Sequence, residues 1–111
     1  DVFQPDICRT GLSDGMRQAA AARANRILVT PHMGSGSPVV QAAALTFASA
    51  AGADLPVEFQ RDLASLCEGA FRTAWRLEAG RFALPDAPGL GVAVDEERIA
   101  AASTRESWAA S

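Results

Sequence analysis

The sequence predicts an α/β fold of parallel strand–helix units, and three observations lead to this prediction. Short apolar runs alternate with alanine-rich segments of helical periodicity. One of these runs, ILVT at 27–30, is a continuous β-branched and aliphatic stretch, which is typical of a strand covered on both faces. Asp6, His32 and Glu58 close, or nearly close, three such runs, and the two gaps between them are equal. A strand, a turn, a helix and a return would fill each gap.

The first predicted unit is a short strand in VFQPD (2–6), followed by a helix from about Asp14 to Ala24. Pro5 cannot donate to a strand ladder, so we expect the strand to finish there. Ser13 is a suitable N-cap for the helix. The alanines at 19–22 give this helix a high propensity and a thin surface that suits packing on a sheet.

The second unit begins with the strand at 27–30 and continues through the glycine- and serine-rich loop MGSGS. We expect a helix from Pro38 to about Ala51, because Ser37 is a good N-cap and proline is favoured at the first helical position. Gly52 is a natural stop for this helix. Its predicted apolar face consists of Val40, Ala43, Ala44, Phe47 and Ala51.

The third predicted unit begins with a short strand in PVEF at 56–59. After it we expect helical turns around 61–67 and 70–77, an extended segment at 80–86 and a tight loop in PGLGV. A short helix capped by Asp95 comes last. We interpret the cysteines as incidental thiols and the tryptophans as packing residues; they are Cys8, Cys67, Trp75 and Trp108.

Length and charge limit the functions that the chain can have. Its 111 residues suffice for one modest domain but fall short of the roughly 250 residues of a complete β/α barrel. Its 10 basic and 13 acidic residues give a net charge of −3, which argues against nucleic-acid binding. No signal peptide or membrane span is predicted, and we expect a cytoplasmic location. Because the chain opens on a strand without a methionine, we expect it to be part of a longer protein.

Polar side chains at the ends of parallel strands indicate a proton-transfer site. Such strands place their carboxyl ends on one rim, so we expect Asp6, His32 and Glu58 to converge there. Histidine suits proton transfer because its ordinary pKa lies near neutrality, and a neighbouring carboxylate steadies the imidazolium that forms. Structural alternatives stay open: a turn cap for Asp6, local hydrogen bonding for His32 and a solvated strand edge for Glu58. The GSGS loop at 34–37 is either an anion-binding loop or a plain connection.

Four motifs carry a family resemblance. VFQPDICRTGLSD, VTPHMGSGSP, PVEF and LPDAPGLGV, in this order, resemble the C-terminal part of enolase-superfamily enzymes of the mandelate racemase and muconate lactonizing type. The resemblance covers residues 1 to about 100. It implies a partial TIM-like barrel in which residues 1–79 supply the sixth, seventh and eighth strands of a (β/α)7β barrel. Residues 80–111 would form a segment that returns toward a capping domain, with a tail.

The resemblance also implies roles for particular residues. His32, paired with Asp6, would act as the general base, and Glu58 would hydrogen-bond the carboxylate or enolate of the substrate. Independently of the resemblance, the GSGS loop makes Gly34 and Ser35 candidates to contact a carboxylate or hydroxyl group of the substrate. The Mg²⁺ ligands and the lysine motif of the family would lie upstream of this chain, which contains no lysine and is expected to hold no metal ligand.

The function that the resemblance implies is Mg²⁺-dependent abstraction of the α-proton of a carboxylate. We predict a sugar-acid dehydratase, which is a lyase. The alternatives are a racemase or epimerase of the same superfamily, which is an isomerase, or a non-catalytic chain that is either a decayed remnant or a piece that works only by packing against another polypeptide. The expected partners are a small sugar acid, the rest of the barrel and a capping domain, in a homo-oligomer. Without the upstream metal and lysine groups, we expect the 111-residue chain alone to be inactive.

Overall fold

Helices and strands alternate along the part of the chain that the structure describes. The computed structural model describes residues 1–34, 36–62, 69–73, 75–84 and 86–102. The elements in chain order are β1 (Val2–Phe3), α1 (Ile7–Ala24), β2 (Leu28–Val29), α2 (Pro38–Ala51), β3 (Phe71–Thr73), β4 (Arg76–Glu78), β5 (Arg81–Ala83), β6 (Val92–Val94) and α3 (Glu96–Ala102).

Two short parallel strands organise the first half of the fold. β1 pairs with β2, with Val2 opposite Leu28 and Phe3 opposite Val29. α1 connects these strands, and α2 follows β2. The structure therefore confirms an α/β fold with parallel strand–helix units at its start.

α1 begins at Ile7, well before the predicted start at Asp14. The Asp6 side chain provides the N-cap, because its Oδ1 accepts the Cys8 N–H at 3.0 Å. At Gly11 the backbone leaves the helical region, with φ 72° and ψ 168°, so a first helical stretch and the main helix meet at a kink. A glycine tolerates this positive φ without steric cost, and the predicted turn is therefore reduced to one residue.

α2 agrees with its prediction at both ends. Ser37 Oγ accepts the Val39 N–H at 3.3 Å, and Pro38 opens the helix. Gly52 ends the helix in the left-handed conformation, with φ 63°. Within the predicted apolar face, three residues are buried and two are half-buried; these are Ala44, Phe47 and Ala51, and Val40 and Ala43, respectively.

A small apolar core joins the strand pair to the two long helices. Phe47 and Val29 are both 0% exposed. Gly15 allows close packing, because a Cβ at this position would lie 2.7 Å from Ile7 Cδ1 and 3.3 Å from a Phe47 ring carbon. The buried cluster consists of Ile7, Ala19, Ala22, Val29, Phe47 and Ala51.

Asp54 closes the edge of β2 that lies opposite β1. Its N–H donates to the Val29 carbonyl at 2.8 Å, and the Val29 N–H donates to Asp54 Oδ2 at 2.9 Å. The Arg23 guanidinium lies 3.3 Å from the same oxygen and also donates to the carbonyls of Ala51 and Gly52. The Val29 N–H lowers the pKa of the Asp54 carboxyl below its ordinary value of 3.8; desolvation opposes this effect and Arg23 adds to it.

The predicted strand at 56–59 is wrong, because this segment joins none of the sheets among the described residues. Pro56 has no N–H to donate to a ladder. The Thr30 hydroxyl instead donates to the carbonyls of Leu55 and Pro56, at 3.4 and 3.3 Å. These side-chain hydrogen bonds hold the segment beside the end of β2.

Two small antiparallel pairs replace the predicted helical turns at 70–77. β3 pairs with β6, and β4 pairs with β5. Aromatic, arginine and threonine residues alternate here with little helical periodicity, which favours strands. The β4–β5 turn consists of Ala79 and Gly80, whose φ values are 48° and 76°, the combination found in tight primed hairpin turns. The predicted domain boundary after residue 79 falls in this turn and stays a prediction.

The remaining C-terminal predictions have mixed outcomes. α3 begins after Asp95, whose Oδ1 accepts the Arg98 N–H at 3.1 Å, as predicted. Trp75 packs edge-on against Phe59 and Phe82, with ring centroids 6.2 and 5.5 Å away. Most of the predicted turn at 61–67 lies outside the described residues, and so do Cys67, Trp108 and the tail from residue 103.

Candidate active site

Asp6 and His32 lie side by side at the ends of neighbouring parallel strands. The His32 N–H donates to the Pro5 carbonyl at 3.1 Å, and Asp6 and His32 form an isolated parallel bridge beyond β1 and β2. The carboxyl ends of parallel strands meet at one edge, and active-site residues of such sheets lie at that edge. The expected convergence of these two residues is therefore present in the backbone.

Glu58 joins this edge from the segment that follows α2. Its Oε2 lies 3.2 Å from His32 Nδ1 and also accepts the Met33 N–H at 2.6 Å. The carboxylate beside His32 Nδ1 is thus that of Glu58, and the pairing of His32 with Asp6 that the resemblance implied stays a prediction. The side chains of His32 and Glu58 are 48% and 44% exposed, so the pair is open to solvent.

The Asp6 carboxylate is engaged with its own helix. One oxygen caps α1 through the Cys8 N–H, and the other lies 3.2 Å from Arg9 Nε. The cap that we considered as the structural alternative for Asp6 is therefore formed. Its second oxygen still borders the site, because a Cβ placed on Gly34 would lie 3.3 Å from Asp6 Oδ2 and 3.5 Å from His32 Nε2.

A pocket of about 470 Å³ opens at this edge. Gly34 forms the floor of the pocket beside His32 Nε2 and Asp6 Oδ2, and a side chain at this position would crowd the Asp6 carboxylate. Ser35, the other predicted contact, lies outside the described residues. The lining residues are Asp6, Cys8, Arg9, His32, Met33, Gly34 and Gln60.

Gln60 and Arg9 are site residues that the sequence reasoning missed. Gln60 Nε2 donates to the Met33 carbonyl at 3.0 Å, and Glu58 accepts the Met33 N–H. Glu58 and Gln60 therefore bind both backbone polar groups of Met33. Alternate residues of an extended segment face the same side, and this spacing from Glu58 could have identified Gln60. Arg9 follows Asp6 by three residues, a spacing at which side chains are neighbours on a helix, and this spacing could have identified it.

Residues 1–98 match the family model described as enolase C-terminal domain-like. The chain belongs to this family. No curated protein sequence matches it significantly.

Three solved structures resemble this enolase-like domain. A 3,6-anhydro-D-galactonate cycloisomerase from Zobellia galactanivorans is 31% identical, with a TM-score of 0.77, over 90% of this chain and 28% of that chain. A Sinorhizobium meliloti protein assigned as an isomerase is 29% identical, with a TM-score of 0.76, over 89% of this chain and 26% of that chain. An enolase-superfamily member from Agrobacterium tumefaciens is 27% identical, with a TM-score of 0.74, over 89% of this chain and 26% of that chain. The chain thus spans little more than a quarter of these structures.

The enolase-like domain offers no metal site in its described part. No three His, Cys, Asp or Glu side chains group there as ligands. Mg²⁺ prefers an all-oxygen shell, whereas Glu58 faces an imidazole and Asp6 faces a guanidinium. The described residues therefore do not fit Mg²⁺, whose ligands the resemblance implied upstream of this chain. Among the described helices, none combines the length and apolar character that a membrane crossing requires.

Proposed function

We propose that this domain forms the general-base side of an active site that removes the α-proton of a sugar-acid carboxylate. The observation that carries the proposal is the placement of His32, whose Nδ1 lies 3.2 Å from Glu58 and whose Nε2 borders a pocket beside Asp6. An imidazole flanked by carboxylates is suited to accept a proton near neutral pH. The rest of a (β/α)7β barrel and a capping domain would complete the site.

The proposed step is a proton transfer from the substrate to His32. The bond between the α-carbon and its hydrogen breaks, and the proton passes to Nε2 of His32. The electron pair moves into the carboxylate of the substrate, which becomes an enolate with two negative charges. That charge needs electrophilic stabilisation, and Mg²⁺ held by residues outside this chain would belong to that part of the site.

Dehydration is the first proposed outcome, in which the enolate expels a β-hydroxyl group as water after protonation. Isomerisation is the second, in which a proton returns to the α-carbon. The comparisons favour a sugar acid as substrate class, because the Zobellia galactanivorans neighbour acts on 3,6-anhydro-D-galactonate. They also give weight to isomerisation, since that neighbour is a cycloisomerase.

A solvent-exchange assay tests the proposal on the complete protein that carries this domain. A panel of sugar acids is incubated in D₂O with Mg²⁺, and loss of the α-proton is followed by NMR. We expect exchange with at least one acid and a loss of about 10²-fold or more in His32→Asn, because the base is removed.

The control is Asp86→Asn, a change at an exposed acid in the C-terminal region, which should leave exchange unchanged. Equal exchange in the wild type and His32→Asn would remove His32 from the mechanism. The absence of exchange with every acid would favour the alternative of a non-catalytic packing domain.

A further inference from the structure

Three aromatic rings join the C-terminal β4–β5 hairpin to the segment that carries Glu58 and Gln60. Phe59 lies between these two residues, and its ring centroid is 6.2 Å from that of Trp75 and 5.5 Å from that of Phe82. The rings of Trp75 and Phe82 also contact each other, with centroids 5.5 Å apart. We propose that this ring cluster is a positioning element, through which the hairpin holds one wall of the candidate active site.

The hairpin presents both of its rings on one face. Leu77 and Phe82 are directly opposite each other in the β4–β5 ladder, and Trp75 precedes Leu77 by two residues, so the three side chains share a side. Trp75 is therefore a diagonal neighbour of Phe82. Within residues 75–84, Trp75 and Phe82 are half-buried and every other described residue is exposed. The two rings that contact Phe59 are thus the side chains that the hairpin withdraws from solvent.

On the other side of this contact, Phe59 lies between two side chains that bind Met33. Glu58 Oε2 accepts the Met33 N–H at 2.6 Å, and Gln60 Nε2 donates to the Met33 carbonyl at 3.0 Å. Met33 is 2% exposed and lines the pocket directly after His32. Side chains alternate between the two sides of an extended segment, so a ring anchored at 59 fixes the direction of the side chains at 58 and 60. The hairpin thereby acts on the pocket wall at Met33.

The segment at 56–60 needs such support because it joins none of the sheets among the described residues. The Thr30 hydroxyl donates to its Pro56 carbonyl at 3.3 Å, and Gln41 donates to its Glu58 carbonyl at 3.5 Å. Both distances are long for hydrogen bonds, and neither bond fixes the direction of a side chain. Aromatic pairs add a preferred geometry, and the rings of Phe59 and Trp75 meet edge to face, at 85°.

Packing carries the contact of Trp75, and hydrogen bonding does not. The indole Nε1 of Trp75 is buried and has no hydrogen-bond partner among the described residues. A buried donor without a partner is destabilising, so the N–H group contributes nothing to the cluster. The proposal therefore predicts that phenylalanine can replace Trp75, whereas alanine cannot.

Hydrogen exchange of the Met33 amide tests the proposal on the complete protein that carries this domain. Mass spectrometry with fragmentation resolves Met33 from Met16, which lies inside α1 and serves as the internal reference. Each aromatic pair contributes about 2- to 10-fold to a local equilibrium, and Trp75 makes two such pairs. We expect Met33 exchange to become at least about five-fold faster in Trp75→Ala, while Met16 exchange stays the same. In Trp75→Phe, Met33 exchange should stay within about two-fold of the wild type.

Leu77→Ala is the matched control, because Leu77 lies on the same face of the hairpin but is 50% exposed. It should leave Met33 exchange unchanged. Phe82→Ala is the second variant, and it should accelerate Met33 exchange as Trp75→Ala does. Unchanged Met33 exchange in both ring variants would overturn the proposal, and so would equal acceleration at Met33 and Met16. Exchange in Trp75→Phe as fast as in Trp75→Ala would also overturn it.

Kinetics of the complete protein give a readout that stability alone does not move, and here the positioning role rests on the proposed function for the reaction that is measured. Trp75 is not among the described residues that line the pocket, so Trp75→Ala should lower kcat about ten-fold while KM changes little. Trp75→Phe should restore kcat. A raised KM with unchanged kcat would overturn the positioning role. If no sugar acid exchanges its α-proton but Met33 exchange still depends on Trp75, the proposed function fails and the role of the ring cluster stands.

Discussion

The N-terminal region (residues 1–62) and the C-terminal region (residues 69–102) differ in how deeply their side chains are buried. The first contains every buried residue that the structure describes, including the fully buried Phe47 and Val29. In the second, residues 69–73, 75–84 and 86–101 are all half-buried or exposed. Large apolar side chains face solvent in both regions, and those of the second are Leu77, Leu84, Val94 and Ile99. The candidate active site lies on the region that has its own core. Preorganised chemistry needs such support, because small displacements of catalytic groups are costly.

The largest expected effect tests this difference in burial. Phe47→Ala should lower the free energy of unfolding by about 3–5 kcal/mol, because it removes a fully buried ring and leaves a cavity. The matched change in the C-terminal region is Leu77→Ala, whose side chain is 50% exposed. It should cost about 0.5 kcal/mol or less.

Urea unfolding followed by fluorescence and circular dichroism measures both variants. Similar losses of stability in Phe47→Ala and Leu77→Ala would contradict the view that the core lies in the N-terminal region alone.

The second prediction concerns the floor of the pocket. In Gly34→Ala the new methyl group would lie 3.3 Å from Asp6 Oδ2 and 3.5 Å from His32 Nε2, where the proposed function brings the substrate to the base. We expect α-proton exchange by the complete protein to fall about 10- to 100-fold. The melting temperature should change little, because Gly34 is not among the residues with positive φ and alanine can adopt its backbone conformation.

Unchanged exchange in Gly34→Ala would place the reacting proton away from this pocket. A loss of activity with an equally large loss of melting temperature would indicate damage to the fold and would not support the site.

The same two regions show how far the sequence alone could predict the structure. Local signals succeeded where the partners are close in sequence: Ser37 and Pro38 start α2, and Asp95 caps α3. The approach of Asp6 and His32 followed from one general property of parallel strands. The strand at 71–73 was missed because it pairs with the distant residues Val92–Val94, which single-segment preferences do not encode. The strand at 76–78 belongs to a local hairpin, and its strand-favouring composition was misinterpreted as helical.

The details of the site depend on side-chain geometry, and the sequence did not predict them. The resemblance implied Asp6 as the partner of His32 and a contact with substrate for Glu58, whereas in the structure Glu58 Oε2 lies 3.2 Å from His32 Nδ1. Arg9 and the Cys8 N–H hold Asp6, whereas the loop at Met33 brings Glu58 to His32 Nδ1. The catalytic roles of these residues stay predictions.

The third prediction concerns the acid that closes the edge of β2. The pKa of Asp54 is lowered in the folded chain, chiefly by the Val29 N–H, so its ionised form stabilises the fold. That contribution is fully present above the ordinary value of 3.8 and is lost as the pH falls through the lowered folded pKa. Asp54→Asn should therefore melt at a lower temperature than the wild type at neutral pH, and the difference should shrink in acid.

Thermal unfolding from about pH 7 down to about pH 2 checks this sign, with Asp86→Asn as an exposed acid for comparison. A melting difference that grows toward low pH would mean that Asp54 is not stabilised in its ionised form.

The smallest expected effect lies in the C-terminal region, at the β4–β5 turn. Ala79 has φ 48°, a left-handed conformation that disfavours a residue with a Cβ, and its neighbour Gly80 has φ 76°. Ala79→Gly should relieve this strain and stabilise the hairpin by about 0.5–1 kcal/mol, partly offset by the greater freedom of glycine in the unfolded chain. Hydrogen exchange of the β4 and β5 amides should slow, while exchange in α2 stays the same, because the two regions have separate sources of stability. Ala83→Gly, a change within strand β5 itself, should have the opposite sign. Parallel changes in hairpin and α2 exchange would show that the C-terminal region unfolds together with the core, and the contrast between the two regions would then concern burial alone and not cooperativity.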